Sequence, residues 1–177
     1  MKKILFILLF IVTSSVASDL QEEEFSSPTI IGEGTLKVFF MEIYDLRLIA
    51  DSPTFSWQNK FKLDFMYTRD LKKDSVIKSS IKELRRQSSV SESDIESWQG
   101  YLEQSIKSVQ QGTHATVLWN PEGHITFYYE NSDPITIEDE GFARAFLNIW
   151  LGEETSQPKL RSQLLGGSWS LSALSKI

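Results

Sequence analysis

The chain has 177 residues, is 41% hydrophobic and carries a formal charge of -6, with no cysteine. That length and apolar content suit one domain with a sizeable core. The missing cysteines exclude disulfides, thiolate catalysis, cysteine metal ligands and lipoprotein attachment, and the acidic balance disfavours nucleic acid, whose binding needs clustered Lys and Arg.

Met1-Lys2-Lys3, the unbroken apolar run Ile4 to Val12 and the small-residue pattern Ser15-Val16-Ala17 predict a secretory signal peptide over residues 1–17. The apolar run is too short for a mature membrane span, which takes about 20 residues. No stable membrane anchor is therefore expected after cleavage, and the destination is the periplasm or the medium. Loss of Lys2 and Lys3 takes the formal charge from -6 to -8. The densest basic cluster, Lys82 to Arg86, reads as a solvated helix face.

Residues 18–31 are acidic and polar and read as a flexible lead-in. Gly32 and Gly34 punctuate the start of a β region within a domain spanning 32–177. Leu36, Val38 and Phe40 alternate; Met41 and Ile43, then Leu46, Leu48 and Ala50, follow on a changed phase, which predicts a bulge or bend between two strand pieces. Asp51-Ser52-Pro53 is a turn. Phe55 and Trp57 predict a short strand, and Leu63, Phe65 and Tyr67 another. Such short connections favour an antiparallel meander.

A helical part follows. Asp74 or Ser75 is the expected cap of a helix whose face is Val76, Ile77, Ile81 and Leu84. Ser93-x-x-Glu96 predicts a capping box for a second helix carrying Trp98, Leu102, Ile106 and Val109 and stopping at Gly112. The period then returns to two: Ala115, Val117 and Trp119, a turn over Asn120–Gly123, and Ile125, Phe127 and Tyr129 predict a hairpin. From Glu138 to Gly167 come two punctuated helices. Phe142, Phe146, Ile149 and Trp150 form one face of the first, with acidic residues in its first turn and Gly152 as its stop. Thr155 or Ser156 is the expected cap of the second, with Pro158 at its start, Leu160, Leu164 and Leu165 on its apolar side, and Gly166-Gly167 closing it. Trp169, Leu171 and Leu174 form a tail. Strands, two helices, a hairpin and two more helices make an α+β fold, an antiparallel sheet with a helical layer packed on one face.

This organisation resembles the chalcone isomerase-like superfamily, in its exported bacterial branch. The resemblance is carried by Gly34-x-x-Lys37, Ile43–Leu48, Leu63-x-Phe65-x-Tyr67-x-Arg69, Trp98, Gly112, the Pro121/Gly123 turn, and Phe142-x-x-x-Phe146-x-x-Ile149-Trp150-Leu151-Gly152 with Leu160-Arg161 and Leu164–Gly166. It implies an open-faced β-sandwich. It also implies a division between plant enzymes that cyclise chalcones and non-catalytic relatives, some of which bind fatty acids between sheet and helices. The plant enzymes carry an Arg on an early strand and a Thr twelve positions later; here Gly32 and Tyr44 stand in those positions, which argues against chalcone cyclisation.

The candidate ligand-binding residues are Lys37, Tyr44, Arg47, Tyr67, Arg69, Phe146 and Trp150. A tyrosine and a cation at one end of an apolar cavity suit an anionic head group. Tyr44 and Arg47 have opposite parity on a regular strand, so they share a pocket only across a bulge; otherwise Asp45 and Arg47 lie on a solvated face. Tyr67 and Arg69 share parity. Phe146 and Trp150 form the roof. His114 and His124 flank the predicted hairpin, but two histidines alone do not make a metal site. Arg161 is expected to bond carbonyls or carboxylates between helices. No catalytic residue, cofactor or metal is expected. The reading is an exported, non-catalytic protein that binds a small apolar or fatty-acid-like ligand between sheet and helices. One alternative is an isomerase or intramolecular lyase acting on an unsaturated carbonyl compound, with Tyr44 or Tyr67 as acid/base and Lys37 or Arg47 as oxyanion stabiliser. Another is an envelope interaction module. The oligomeric state is open.

Overall fold

The computed structural model describes residues 25–167. The expected signal peptide and the Trp169–Leu174 tail lie outside the described residues. The strands are β1 (Thr29–Val38), β2 (Met41–Ala50), β3 (Phe61–Tyr67), β4 (His114–Asn120), β5 (His124–Tyr129) and β6 (Ile135–Ile137). They form one antiparallel sheet in sequence order. Helices α1 (Lys73–Leu84) and α2 (Glu92–Ser105) stand between β3 and β4; α3 (Glu140–Leu151) and α4 (Pro158–Leu164) follow the sheet.

Alternation along the strands decides the two faces. On β2, Tyr44, Leu46, Leu48 and Ala50 are buried beneath the helices, and on β3 so are Phe61, Leu63, Phe65 and Tyr67. The other face is the more polar one, solvated over β2 and β3 and buried at Thr116 and Leu118 on β4. There Thr35 donates to Asp45 at 2.6 Å, Arg47 pairs with Asp64 at 2.5 Å, and Thr116 donates to Asp64 at 3.1 Å. This is the one-sided sheet that hydrophobic-in, polar-out patterning specifies.

α3 buries nearly its whole apolar stripe, including Phe142, Phe146, Leu147, Ile149 and Trp150. Asp139 caps it by accepting from the Phe142 N–H at 2.9 Å. Arg161 on α4 donates to the Leu151 carbonyl at 2.8 Å, the expected helix-to-helix bond. Gln87, buried after α1, donates to the Ala145 carbonyl at 2.7 Å and ties α1 to α3.

Several boundaries differ from the sequence reading. The phase change has two parts: a two-residue hairpin at Phe39-Phe40, both with positive φ (48° and 69°), and beside it the expected bulge, a one-residue slip at Ile43 between the Leu36–Tyr44 and Lys37–Glu42 pairs. Phe55 and Trp57 do not form a strand. They sit in the β2–β3 connection and pack edge-on to Phe61, while the Trp57 carbonyl accepts from Trp119 Nε1 at 3.0 Å. α1 starts at Lys73 with no side-chain cap. The capping box of α2 is Ser91 with Asp94, two residues ahead of the expected pair. α2 ends at Ser105, and the chain then runs extended so that Val109 bridges Leu71. Gln157 occupies the N-cap position of α4, and Thr155 instead links Ile149 O to Gln157 N.

The glycines of β1 are not punctuation. β1 begins at Thr29, so Gly32 and Gly34 lie within it, facing α4. A Cβ on Gly32 would stand 2.0 Å from the Gln163 carbonyl oxygen and 2.5 Å from that of Leu164. The missing side chain is what lets the α4 backbone rest on the strand. Gly32→Ala is therefore expected to lower unfolding stability by about 1–3 kcal/mol in urea titration. Gly100→Ala, on the exposed side of α2 where an added Cβ meets nothing within 4 Å, is expected to raise it by about 0.5–1 kcal/mol. Equal effects at the two positions would refute this account of β1.

Candidate functional site

Four of the seven candidate residues come together on the covered face. Tyr44 and Tyr67 are direct partners across β2 and β3, with ring centroids 5.8 Å apart. Trp150 donates its indole N–H to the Tyr44 hydroxyl at 2.7 Å, a buried bond joining α3 to the sheet. Phe146 lies 5.5 Å from Trp150 and 5.2 Å from Phe127. Phe65 closes the set at 5.2 Å from both Tyr44 and Trp150. Mostly edge-on, these rings fill the layer beneath α3.

The three cations lie elsewhere. β2 pairs with β3 in unbroken register from Tyr44 to Ala50, so Arg47 faces the opposite side of the sheet from Tyr44, where Asp64 holds it. Lys37 sits beside the β1–β2 turn in an exposed pair with Glu42 at 2.7 Å. β3 ends at Tyr67, and Arg69 lies beyond it, half-buried, with Nη1 3.1 Å from Met41 Sδ. The expected pairing of tyrosine and cation on one pocket floor is thus corrected: the tyrosines are inside, and Lys37, Arg47 and Arg69 are on the outer face or rim. The two histidines do not approach each other either. His124 pairs with Asn120, whereas His114 is at the far end of β4 opposite Met66. Among the described residues, no group of acidic or histidine side chains could hold a metal ion.

The sequence reading missed two residues at the tyrosine end. Tyr129 ends the inward-facing run Ile125, Phe127, Tyr129 and accepts a hydrogen bond from the Lys107 backbone N–H. The Lys107 ammonium lies over its ring, 5.5 Å from the centroid. The signal for Tyr129 was its parity; Lys107 gave none, because it belonged to a segment read as helix. Burial pushes the Tyr44 phenol above its usual range, partly offset by the Trp150 bond and reinforced by Glu83. Burial raises Tyr67 further, and the phenols of Tyr129 and Tyr44 add to it. Burial also lifts Tyr129, to about 12, against the opposing Lys107 N–H. Among the described residues, Tyr44 accepts from Trp150 and the Tyr67 hydroxyl makes no bond to protein, while the one buried side-chain polar atom without a partner is Thr68 Oγ1 beside Tyr67. Three neutral phenols thus collect at one end of an apolar interior.

A groove of about 750 Å³ also crosses the structure, lined by Glu33, Thr35, Asp45, Arg47 and Asp64 with Gln163 of α4. Its charges are mostly internally paired, so it is a polar furrow rather than an apolar cavity.

A sequence profile for chalcone isomerase-like proteins matches residues 29–166. The chain belongs to the chalcone isomerase-like family. The match runs from the first residue of β1 to the glycine after α4, so the family unit coincides with the described fold. The structure is similar to that of a fatty-acid binding protein from Arabidopsis thaliana, with a TM-score of 0.58 at 12% sequence identity, covering 80% of this chain and 88% of that one. At that identity the likeness establishes the shared fold. A sequence comparison with curated proteins gives no match. In this chain the Tyr44–Trp150 bond joins the sheet to its helical roof.

Two outcomes follow from that geometry. Tyr44→Phe leaves the Trp150 N–H buried without an acceptor and is expected to cost about 1–3 kcal/mol in denaturant unfolding; a cost near zero would contradict the buried bond. In alkaline titration the folded-state phenols ionise late. A pKa raised above its unfolded value contributes stability that is complete below the unfolded value, here 10.0, and is lost as pH rises through the folded one. Stability is therefore expected to fall from pH 10 upward, with Tyr129 ionising near 12. Ultraviolet absorbance and circular dichroism would follow the two processes. Ordinary ionisation of all the tyrosines near pH 10 in the folded protein would refute the buried cluster.

Proposed function

We propose that the protein is exported and acts without catalysis, binding a small amphipathic molecule of the fatty-acid type between the sheet and α3. The observation that carries this reading is the phenol cluster of Tyr44, Tyr67 and Tyr129 at one end of an otherwise apolar interior. The hydroxyls of Tyr44 and Tyr67 can each donate a hydrogen bond, and a carboxylate or carbonyl would accept it. The acyl chain would lie along Phe65, Phe127, Phe146 and Trp150. These rings are in contact, so binding requires the Trp150 side of α3 to lift from Tyr44, which frees the indole N–H as a third donor. Support also comes from family membership and from the fatty-acid binding activity in the description of the Arabidopsis relative. The pattern of residues 1–17 supports export.

The placement of the cations weighs against the enzymatic alternative. Lys37 and Arg47 are held by Glu42 and Asp64 away from Tyr44 and Tyr67, so neither stabilises an oxyanion beside those phenols. Raised phenol pKa values also make poor general bases near neutrality. The ring-filled layer favours a second reading, an envelope interaction module that works through its surface.

Native mass spectrometry of the purified protein, with and without added palmitate, distinguishes the two. The ligand-binding reading expects an acyl adduct that survives gentle ionisation, and an affinity lowered about three- to tenfold in Tyr67→Phe. Empty protein with no measurable palmitate affinity would overturn it in favour of the interaction module.

A further inference from the structure

The β1–β2 hairpin ends in a feature that the ligand reading does not use. Its two central residues are Phe39 and Phe40, which are 88% and 103% exposed. Val38 and Met41, paired at the base of the turn, are exposed as well. A two-residue hairpin turn with positive φ at both central positions is the type that favours Asn-Gly, because β-carbons crowd the backbone there. This chain places two bulky apolar side chains at the positions least suited to them, both by conformation and by solvent exposure. Among the described residues, neither packing nor turn chemistry accounts for the pair, which points to contact with something beyond them.

We propose that the Phe39-Phe40 tip inserts into the interfacial region of a lipid surface. Its size and shape favour lipid over a protein partner. Two phenylalanines can bury about 300–500 Å², whereas a specific protein interface takes at least roughly 1,000 Å². The apolar patch does not extend toward that area, because the Lys37–Glu42 ion pair and Arg69 border it at once. The tip is also convex, two side chains on a turn that no other described residue covers, so a protein partner would need a dedicated pocket where a bilayer needs none. Lys37 and Arg69 stand at the depth of the head groups when the rings are immersed, as cations do at membrane interfaces. The account requires no charge excess at the tip, because Glu42 neutralises Lys37.

The register fixes what such docking would bring to the lipid. Val38 pairs with Met41, Lys37 with Glu42 and Leu36 with Tyr44, and Tyr44 pairs in turn with Tyr67. The tip therefore projects from the same end of the sheet as the phenol cluster, which would open toward the membrane. This last consequence rests on the ligand-binding reading; insertion of the tip does not.

Co-sedimentation of residues 18–177 with vesicles of equal parts phosphatidylcholine and phosphatidylglycerol, and with phosphatidylcholine alone, tests the proposal. Binding to both vesicle types that persists at high salt is expected. The double variant F39N/F40G is expected to lower binding about tenfold or more while raising the unfolding midpoint by about 2–8 °C, since Asn-Gly relaxes the turn. Its palmitate affinity in detergent-free buffer should match the parent's, so failure of vesicle binding and failure of ligand binding are separate results. Phe40→Trp should show an emission blue shift on vesicle addition that the parent lacks. Absence of vesicle binding, binding abolished by salt, or binding unchanged in F39N/F40G would each overturn the proposal. So would a parent dimer that the double variant converts to monomer, because the tip would then be covered by a second copy of the chain.

Discussion

The two-residue period of β2 is the constraint on which the rest of the arrangement depends. Between Tyr44 and Ala50 the strand pairs with β3 without a slip, so every second side chain is committed to one face. Tyr44, Leu46, Leu48 and Ala50 become the floor of the core, and Asp45 and Arg47 become part of a solvated ladder. A single bulge in this segment would have turned Arg47 inward and placed a guanidinium among the rings, where an unpaired charge is costly. Its absence keeps the interior neutral. The polarity inside the sandwich is then supplied by phenols and an indole, groups that donate hydrogen bonds without bringing a charge into the core.

That neutrality shapes the chemistry available. Neutral donors can hold an acceptor head group, and phenols whose pKa burial raises stay protonated near neutral pH. The same burial that stabilises the fold therefore keeps the interior a set of neutral donors. The Trp150–Tyr44 bond serves both sides of this balance. It pins α3 to the sheet while the interior is ring-filled, and it is the bond that must yield if a chain enters beneath the helix. A contact made of one neutral hydrogen bond and a few ring edges is strong enough to close the layer and weak enough to exchange, since such bonds contribute roughly 0.5–1.5 kcal/mol each.

Much of this was legible in the sequence where local chemistry and periodicity agree. The stretch from Glu138 to Gly167 declares α3 and α4 through its apolar spacing, acidic first turn and proline start, and the Asn120–Gly123 turn declares the β4–β5 hairpin. The family resemblance read from those segments matches the profile over residues 29–166. Legibility fails where a residue contradicts its position. Phe39-Phe40 forms a turn that calls for Asn-Gly, so the hairpin read as a phase change. Phe55 and Trp57 alternate as a strand would, yet they do so to cap Phe61 and Trp119 from a loop. At the site, the opposed parity of Tyr44 and Arg47 was readable in advance. The partners Asp64 and Glu42, and the convergence of Tyr129 and Lys107, needed the three-dimensional register, because no sequence spacing links them.

The central claim is that the ligand layer lies between the sheet and α3, at the Tyr44–Trp150 contact. The most direct test is a nitrogen-15 NMR titration of the protein with palmitate, following side-chain N–H signals. The account predicts that the Trp150 indole signal moves or broadens while the Arg47 Nε–H signal on the opposite face stays in place. A shift confined to Arg47 and the groove around it, or no change at Trp150 at saturating palmitate, would contradict it.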